Sequence, residues 1–329
     1  MNFMKFVKSA TIPALSFLLL TGCSKESTEQ PLTYTDSLFD TVISVQIYDS
    51  SDDAIIDECK KICTKYDDMF SNTKPDSEIS KINAAKGQPV EVSDDTITLL
   101  QTAIHYSDIS SGAFDVTISP VSSLWDFQSD DPAIPDDTDI QSALTHVNYK
   151  NICINGNQVS LTDPDAAIDL GGIAKGYIAD QLKEYLKSQG IEHAMINLGG
   201  NVLAIGSKPD GSDYNIGIQK PFDTTGDPIT SVKIADQSVV TSGDYQRYFK
   251  KDGKIYHHIL NPSTGYPYDN GLSSVTIVTD SSVNADALST TCFALGLDDG
   301  LNLVNSTDNV EAVFITSDNK LHYSDNFPK

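Results

Sequence analysis

Arginine is almost missing from this 329-residue chain; Arg247 is the only one. Any polyanion the protein handles must therefore be met by lysine, backbone N–H groups or a metal, because no arginine cluster can form. Positive charge is scarce overall, with 22 Lys+Arg against 46 Asp+Glu and a formal net charge of −24. Such a surface repels nucleic acid and anionic headgroups, and neither is expected as a partner. Cysteine supplies no framework either. Beyond Cys23 there are Cys59, Cys63, Cys153 and Cys292, without a CxxC pair. Cys59 and Cys63 share a helix face, where disulfide geometry is poor, and read as buried free thiols. The GxGxxG spacing of a dinucleotide fingerprint is absent, as are repeats and low-complexity tracts. The apolar run Thr11–Leu20, broken by Pro13, is short of the roughly 20 residues that span a membrane.

That run has another reading. Lys5 and Lys8 precede it, and Leu20-Thr21-Gly22-Cys23 ends it. A positive start, an apolar core and small residues before a cysteine form the leader pattern of a bacterial lipoprotein. The expectation is a signal peptide over residues 1–22, a lipid on Cys23 and a polar tether over 23–33. Residues 34–329 then form one catalytic domain, held by its lipid anchor on the extracytoplasmic face of the cell membrane.

Within that domain, helices interrupt runs of hairpins instead of alternating with strands, which favours an α+β fold over a doubly wound sheet. Phe39–Tyr48 alternates like a strand, and Asp52–Phe70 carries an apolar stripe at helical spacing. A short helix is expected in SEISKIN and a longer one over Asp94–Ser110, with a surface loop at Asp130–Asp139. Asn155-Gly156 marks a hairpin. Further helices are expected over Gly172–Gln189, Ser282–Leu295 and Asp298–Val304. Strands are expected over Ala194–Leu198, Asn201–Ile205, Tyr214–Gln219, Ser231–Ala235, Ser238–Thr241, Tyr245–Phe249, Ile255–Leu260 and Ser274–Thr279, with a closing hairpin.

Three segments carry chemistry. DLGGIAKGYIAD, Asp169–Asp180, puts a carboxylate and two glycines at the mouth of an amphipathic helix bearing Lys175. A backbone can approach a ligand closely there, and the helix start carries partial positive charge. Lys175 can reach a phosphate or hold Asp169; an ordinary helix start with a solvated lysine is the alternative. NADALSTT, Asn284–Thr291, places Asp286 and Thr290 four residues apart, on one helix face. A carboxylate among Val283, Ala287, Leu288, Cys292 and Phe293 needs either a hydrogen-bonded threonine or a hard cation. YHHILNPSTGYP offers His257 and His258 at a strand end, and strand alternation lets only one point into a site.

In order, SEISKIN, SGAFDVTISP, DLGGIAKGYIAD, INLGGN, HHILNPSTGYP and NADALSTTCFALG make the chain resemble the bacterial FAD:protein FMN transferases, the ApbE-type flavin transferase lipoproteins. The resemblance covers essentially all of the mature chain. It implies an ApbE-like, T-fold-like architecture of antiparallel or mixed sheets with packed helices, and a flavin cleft between two intertwined subdomains. It also implies FAD as substrate, Mg²⁺ as cofactor, and an acceptor flavoprotein with a threonine or serine flavinylation site. Its flavin-contacting positions fall on Phe39, Thr73, Ala113, Phe114, Asp115, Asp169, Lys175 and Ile259. Its magnesium site falls on Asp286 and Thr290, with the Gly172 carbonyl and Ser289 nearby, and its motif histidine on His258. Methionine is usual where Phe39 stands and tyrosine near Thr73, so this chain departs from the pattern at two stacking positions.

Physical chemistry agrees with that implication. Cutting the FAD diphosphate requires charge neutralisation on its oxygens, which Mg²⁺, Lys175 and helix N–H groups would supply. An acceptor hydroxyl would then attack the FMN phosphorus and expel AMP. His258 is placed to take the hydroxyl proton, with an unperturbed pKa near 6.5; Asp169 and Asp115 compete for that role. Two rivals share the site. Attack by water would make the protein a magnesium-dependent FAD pyrophosphatase giving FMN and AMP. A lipoprotein that only binds and delivers flavin would not need Asp286 and Thr290, and both are present.

Overall fold

Ile43, Val45 and Ile47 are fully buried, while the residues between them are not, so Thr41–Ile47 is a strand with one face on the core. The computed structural model describes residues 30–327 except 128, 130 and 224. The leader, Cys23 and most of the tether lie outside the described residues. In chain order the elements are β1 (Leu32–Leu38), β2 (Thr41–Ile47), α1 (Asp53–Phe70), α2 (Glu78–Ala84), β3 (Val90–Glu91), α3 (Asp94–Ile109), α4 (Ser119–Ser122), α5 (Asp137–Leu144), β4 (Ile152–Asn155), β5 (Gln158–Leu161) and α6 (Ala174–Ser188). They continue with β6 (Ala194–Leu198), β7 (Asn201–Ile205), β8 (Tyr214–Gln219), β9 (Pro228–Ile234), β10 (Ser238–Gly243), β11 (Tyr248–Lys251), β12 (Lys254–His257), β13 (Leu272–Thr279), α7 (Ser282–Leu295), α8 (Leu297–Asn305), β14 (Glu311–Thr316) and β15 (Leu321–Tyr323).

An eight-stranded sheet in the order β1-β2-β6-β7-β10-β13-β14-β15 forms the frame, and every neighbouring pair in it is antiparallel. A three-stranded sheet, β3-β5-β4, and two ribbons, β8–β9 and β11–β12, complete the strands. The architecture is α+β, as the sequence implies. The helices cover one face of the large sheet. α1 turns the stripe Ile55, Cys59, Cys63, Tyr66 and Phe70 inward, and Asp52 caps it by accepting from the Ala54 amide at 2.9 Å. α7 is buried nearly all round, with Ala285, Ala287, Leu288, Cys292 and Phe293 in the main core. On the opposite face, the β8–β9 ribbon covers part of the sheet through Tyr214, Ile218, Val232 and Ile234. A satellite core gathers Val121, Trp125, Ile140, Phe249 and Leu260 from α4, α5 and the β11–β12 region.

Six expectations need correction: the strand expected over Tyr245–Phe249 runs over Tyr248–Lys251, the one expected over Ile255–Leu260 runs over Lys254–His257, and four more follow. β1 begins at Leu32, so Leu32 and Thr33, placed in the tether, instead pair with Ile47 and Gln46. The strand expected from Phe39 starts at Thr41, because Phe39 and Asp40 form the two-residue turn between Leu38 and Thr41, with φ of 55° and 54°. The loop expected over Asp130–Asp139 already turns into α5 at Asp137. The helix expected from Gly172 begins at Ala174, since Gly172 and Ile173 form the turn that leads into it.

The tightest helix contact is α6 on α7. A Cβ on Gly176 would stand 2.3 Å from the Ser282 carbonyl oxygen and 2.6 Å from the Val283 Cα. Asp180, one turn further along α6, accepts from the amides of Ser282 and Val283 at 2.9 Å each and so caps α7 from outside. Gly176→Ala should therefore force the helices apart and destabilise by about 1–3 kcal/mol. That loss exceeds the ~1 kcal/mol of helix propensity that alanine returns. Denaturant titration reads the difference, and a variant as stable as wild type would show that the helices can separate freely.

Candidate functional site

Phe39, Thr73, Ala113, Phe114, Asp115, Asp169, Gly172, Lys175, His258, Ile259, Asp286 and Thr290 all line one cleft. Ser289 lies behind its wall, fully buried. The cleft measures about 4370 Å³, several times the roughly 300–1,000 Å³ of a small-molecule pocket. It therefore holds room for more than one partner. Its floor includes the part of the sheet face that β8–β9 leaves uncovered, where Thr35, Ser37, Val42, Ser44, Gln46 and Asn197 look into it. None of these is charged.

The two chemical segments meet through a single backbone amide. Gly176 N–H donates to Asp286 Oδ2 at 2.8 Å. In a continuing helix that amide would close on the Gly172 carbonyl, four residues back. Turned toward Asp286, it leaves the carbonyl free. Thr290 lies against the same spot, with its Oγ1 3.5 Å from where a Gly172 Cβ would stand. Asp286 is only 4% exposed, yet no lysine, arginine or histidine pairs with it among the described residues. A buried carboxylate without a countercharge, a freed carbonyl and a threonine hydroxyl are three hard oxygens that could hold a divalent cation.

Ser242, at the end of β10, ties the hydroxyls together. Its Oγ lies 2.8 Å from Ser289 Oγ and 3.0 Å from Thr290 Oγ1. Ser289 also donates to the Asp286 carbonyl at 2.9 Å. Ser289 is therefore a support behind the wall and not a group facing the cleft. Ser242 escaped the sequence reading because its partners lie 47 and 48 residues away. Among the described residues, the one cluster of three His, Cys, Asp or Glu ligand atoms is His146, Asp163 and Asp165, none of which lines the cleft.

At the mouth of α6 the preceding residue, Ile173, offers no cap, and Asp286 reaches across from α7 to take the Gly176 amide of the first turn, so part of the positive end already faces a carboxylate. Asp169 Oδ1 accepts from the Gly171 amide at 2.8 Å, while Oδ2 has only a 3.5 Å contact with Ser122 Oγ. Lys175 Nζ donates to the Gly171 carbonyl at 3.0 Å and forms no ion pair with Asp169. Both polar groups of the motif thus keep capacity for a ligand. Asp115 does not. Its Oδ1 takes the Thr117 amide and hydroxyl at 2.7 and 2.6 Å, and its Oδ2 the Tyr149 amide at 2.9 Å. Burial pushes its pKa up against those hydrogen bonds. Asp115 shapes the cleft wall, and its expected role as a competing base does not fit.

The histidine pair divides as strand alternation implies. His257 is 4% exposed, with Nε2 2.9 Å from the Tyr268 carbonyl and its ring edge-on to Phe293. His258 follows β12 and lines the cleft. Its Nδ1 lies 3.3 Å from the Arg247 carbonyl, which can only accept, so Nδ1 carries the proton and Nε2 keeps its lone pair. Loss of solvation drives the His258 pKa down to about 3, with the charges of Arg247, His257 and Lys175 acting in the same direction. The expected ordinary titration near 6.5 is corrected on that ground: in the free protein this imidazole is neutral at any physiological pH.

In a ring-proton NMR titration the His258 signal, assigned by its loss in His258→Ala, should stay put from about pH 8 to 5. A titration centred near 6.5 would show that the cleft leaves this ring in water. The stability sign follows. The unfolded histidine takes up its proton near 6.5 and the folded one only near 3. His258 thus costs stability increasingly as pH falls below about 6.5, and His258→Ala should lessen that acid loss.

Comparison with known proteins places this geometry. The model of the ApbE family matches residues 39–314. The FAD:protein FMN transferase of Klebsiella pneumoniae (strain 342) is 37% identical over 287 residues, which cover 86% of this chain and 89% of that protein. The crystal structure of the ApbE protein from Thermotoga maritima has a TM-score of 0.83 at 31% identity, covering 90% of this chain and 97% of that one. The flavin transferase ApbE from Vibrio cholerae has a TM-score of 0.82 at 28% identity, covering 91% and 98%.

Proposed function

The chain belongs to the ApbE family and is an FAD:protein FMN transferase; from that premise we propose a magnesium-dependent transfer to a threonine or serine hydroxyl, with AMP as leaving group. The observation that carries the metal is the buried, unpaired Asp286 beside Thr290 and the freed Gly172 carbonyl. Those three groups would hold Mg²⁺, and the ion would supply Lewis acidity to the diphosphate oxygens. Ser289 and Ser242 orient the hydroxyl side of the set.

The remaining work belongs to the chain's own residues. Lys175 and the first-turn amides of α6 that Asp286 does not take would face the diphosphate and offset its charge. Phe39, Ala113, Phe114 and Ile259 offer the apolar lining for the flavin, and the rest of the cleft leaves space for the acceptor segment. The acceptor hydroxyl attacks the FMN phosphorus, its proton passes to His258 Nε2, and the bond to the AMP phosphate breaks. A diphosphate anion brought beside His258 raises the ring's proton affinity at the step that uses it. Asp169, with one oxygen uncommitted, stands as the second candidate base.

Mass spectrometry decides the reaction. With FAD, Mg²⁺ and a candidate acceptor, the acceptor should gain the mass of one FMN; free FMN without a gain would make the protein a pyrophosphatase. Asp286→Asn should lower divalent-cation affinity, read by calorimetry with Mg²⁺ alone, and transfer should fall with it. Thr290→Val should do so more mildly. Full transfer by Asp286→Asn in a chelator would refute the metal.

The location is proposed from the leader alone. The two acyl chains of a diacylglycerol on Cys23 would anchor the domain stably, where a single chain is marginal. No helix among the described residues is long and apolar enough to cross a membrane. Cys23→Ser should release active protein to the soluble fraction, and persistent membrane association would refute lipidation at Cys23.

A further inference from the structure

Arg247 is the chain's sole arginine, and the transfer reading above gives it no task. It sits half-buried between β10 and β11 and lines the cleft. Both of its ends are engaged. Its carbonyl receives the His258 amide at 3.1 Å and faces His258 Nδ1 at 3.3 Å. Its guanidinium Nη2 donates to the Asp40 carbonyl, 207 residues away, at 3.2 Å. Asp40 is the second residue of the β1–β2 turn, and Phe39 the first. Both are non-glycine residues in the left-handed region, with φ of 54° and 55°. A two-residue turn of this kind favours Asn-Gly, and an aromatic there persists only where neighbours fix it. One neighbour is Asp67, whose Oδ1 accepts from the Phe39 amide at 3.1 Å. Arg247 is the other.

We propose that Arg247 is a positioning residue that ties the flavin-contacting Phe39–Asp40 turn to the segment that sets the His258 tautomer. One side chain then keeps the flavin end and the proton-accepting end of the cleft in register. Arginine suits the task because its planar fork holds a carbonyl in a fixed direction, whereas a lysine ammonium swings on a flexible stem. Its charge has a second effect. With His257 and Lys175, the other groups that act on His258, it disfavours the protonated ring.

The inference rests on the transferase reading, and wild type is its control: absence of FMN transfer by wild type would indict that reading and not Arg247. In the mature protein, Arg247→Lys should weaken FAD binding roughly tenfold, the worth of one lost charged hydrogen bond. Its His258 NMR titration should stay as in wild type, because the charge remains. Arg247→Gln should weaken FAD equally and also move the His258 pKa upward. Asp40→Gly relieves the left-handed strain, so in the Arg247→Lys background it should restore FAD affinity toward wild type.

ADP, which has the diphosphate but no flavin, separates the other explanation. The clasp leaves ADP affinity unchanged in both variants. Equal losses for ADP and FAD would mean that the guanidinium grips phosphate directly and would overturn the clasp. Wild-type FAD affinity in Arg247→Lys, or no rescue by Asp40→Gly, would overturn it too.

Discussion

Everything at the site depends on how closely α6 approaches α7. At Gly176 the helices meet with no side chain between them, and the room a methyl would need is filled by the Ser282 carbonyl. That closeness lets a backbone amide of one helix bond a carboxylate on the other. The same bond frees the Gly172 carbonyl and fixes Asp286 with one oxygen left to face outward. A larger residue at 176 would thus remove a packing contact and a ligand arrangement together. Asp180 reinforces the approach from the next turn by capping α7, so one segment, Asp169–Asp180, supplies the helix mouth, the close contact and the clamp.

The cleft solves an electrostatic problem. A chain of net charge −24 must bind a dianionic diphosphate, which its bulk field opposes. It does so by local means. Lys175 and the first turn of α6 lie in the cleft beside a sheet floor without carboxylates, while the walls also carry aspartates such as Asp169 and Asp286, whose charge a divalent cation would offset. Charges on distant faces, beyond a Debye length of about 8–10 Å, are screened, so the groups inside the cleft decide the balance. The acid-rich exterior is then compatible with phosphate chemistry inside.

How much of this was legible in the sequence follows from the range of the interactions. Asp286 and Thr290 could be paired by eye because helical periodicity places residues four apart on one face. The inward turn of His257 and outward turn of His258 likewise follow from strand alternation. Elements with weak local signals were not legible: β1 hides its short apolar–polar alternation next to a polar tether, and α5 starts within an acidic, proline-bearing stretch. Bonds across the fold were invisible too. Ser242 to Thr290, Gly176 to Asp286 and Arg247 to Asp40 join residues 48, 110 and 207 positions apart. Asp115 shows the converse failure, since a carboxylate in a motif reads as chemistry until three donors are found closing on it.

The histidine pair shows why such tertiary bonds matter to the chemistry and not only to the fold. Identical side chains at adjacent positions have opposite duties because a carbonyl waits for each. Tyr268 holds the Nε2 of His257 inside the core, and Arg247 holds the Nδ1 of His258, which leaves its Nε2 toward the cleft. A neutral ring with a fixed tautomer offers a lone pair at a defined place, at the expense of low intrinsic basicity while the cleft is empty. A diphosphate seated beside the ring would offset that deficit. On the proposed mechanism, the burial that depresses His258 would keep the proton acceptor silent until the diphosphate is seated.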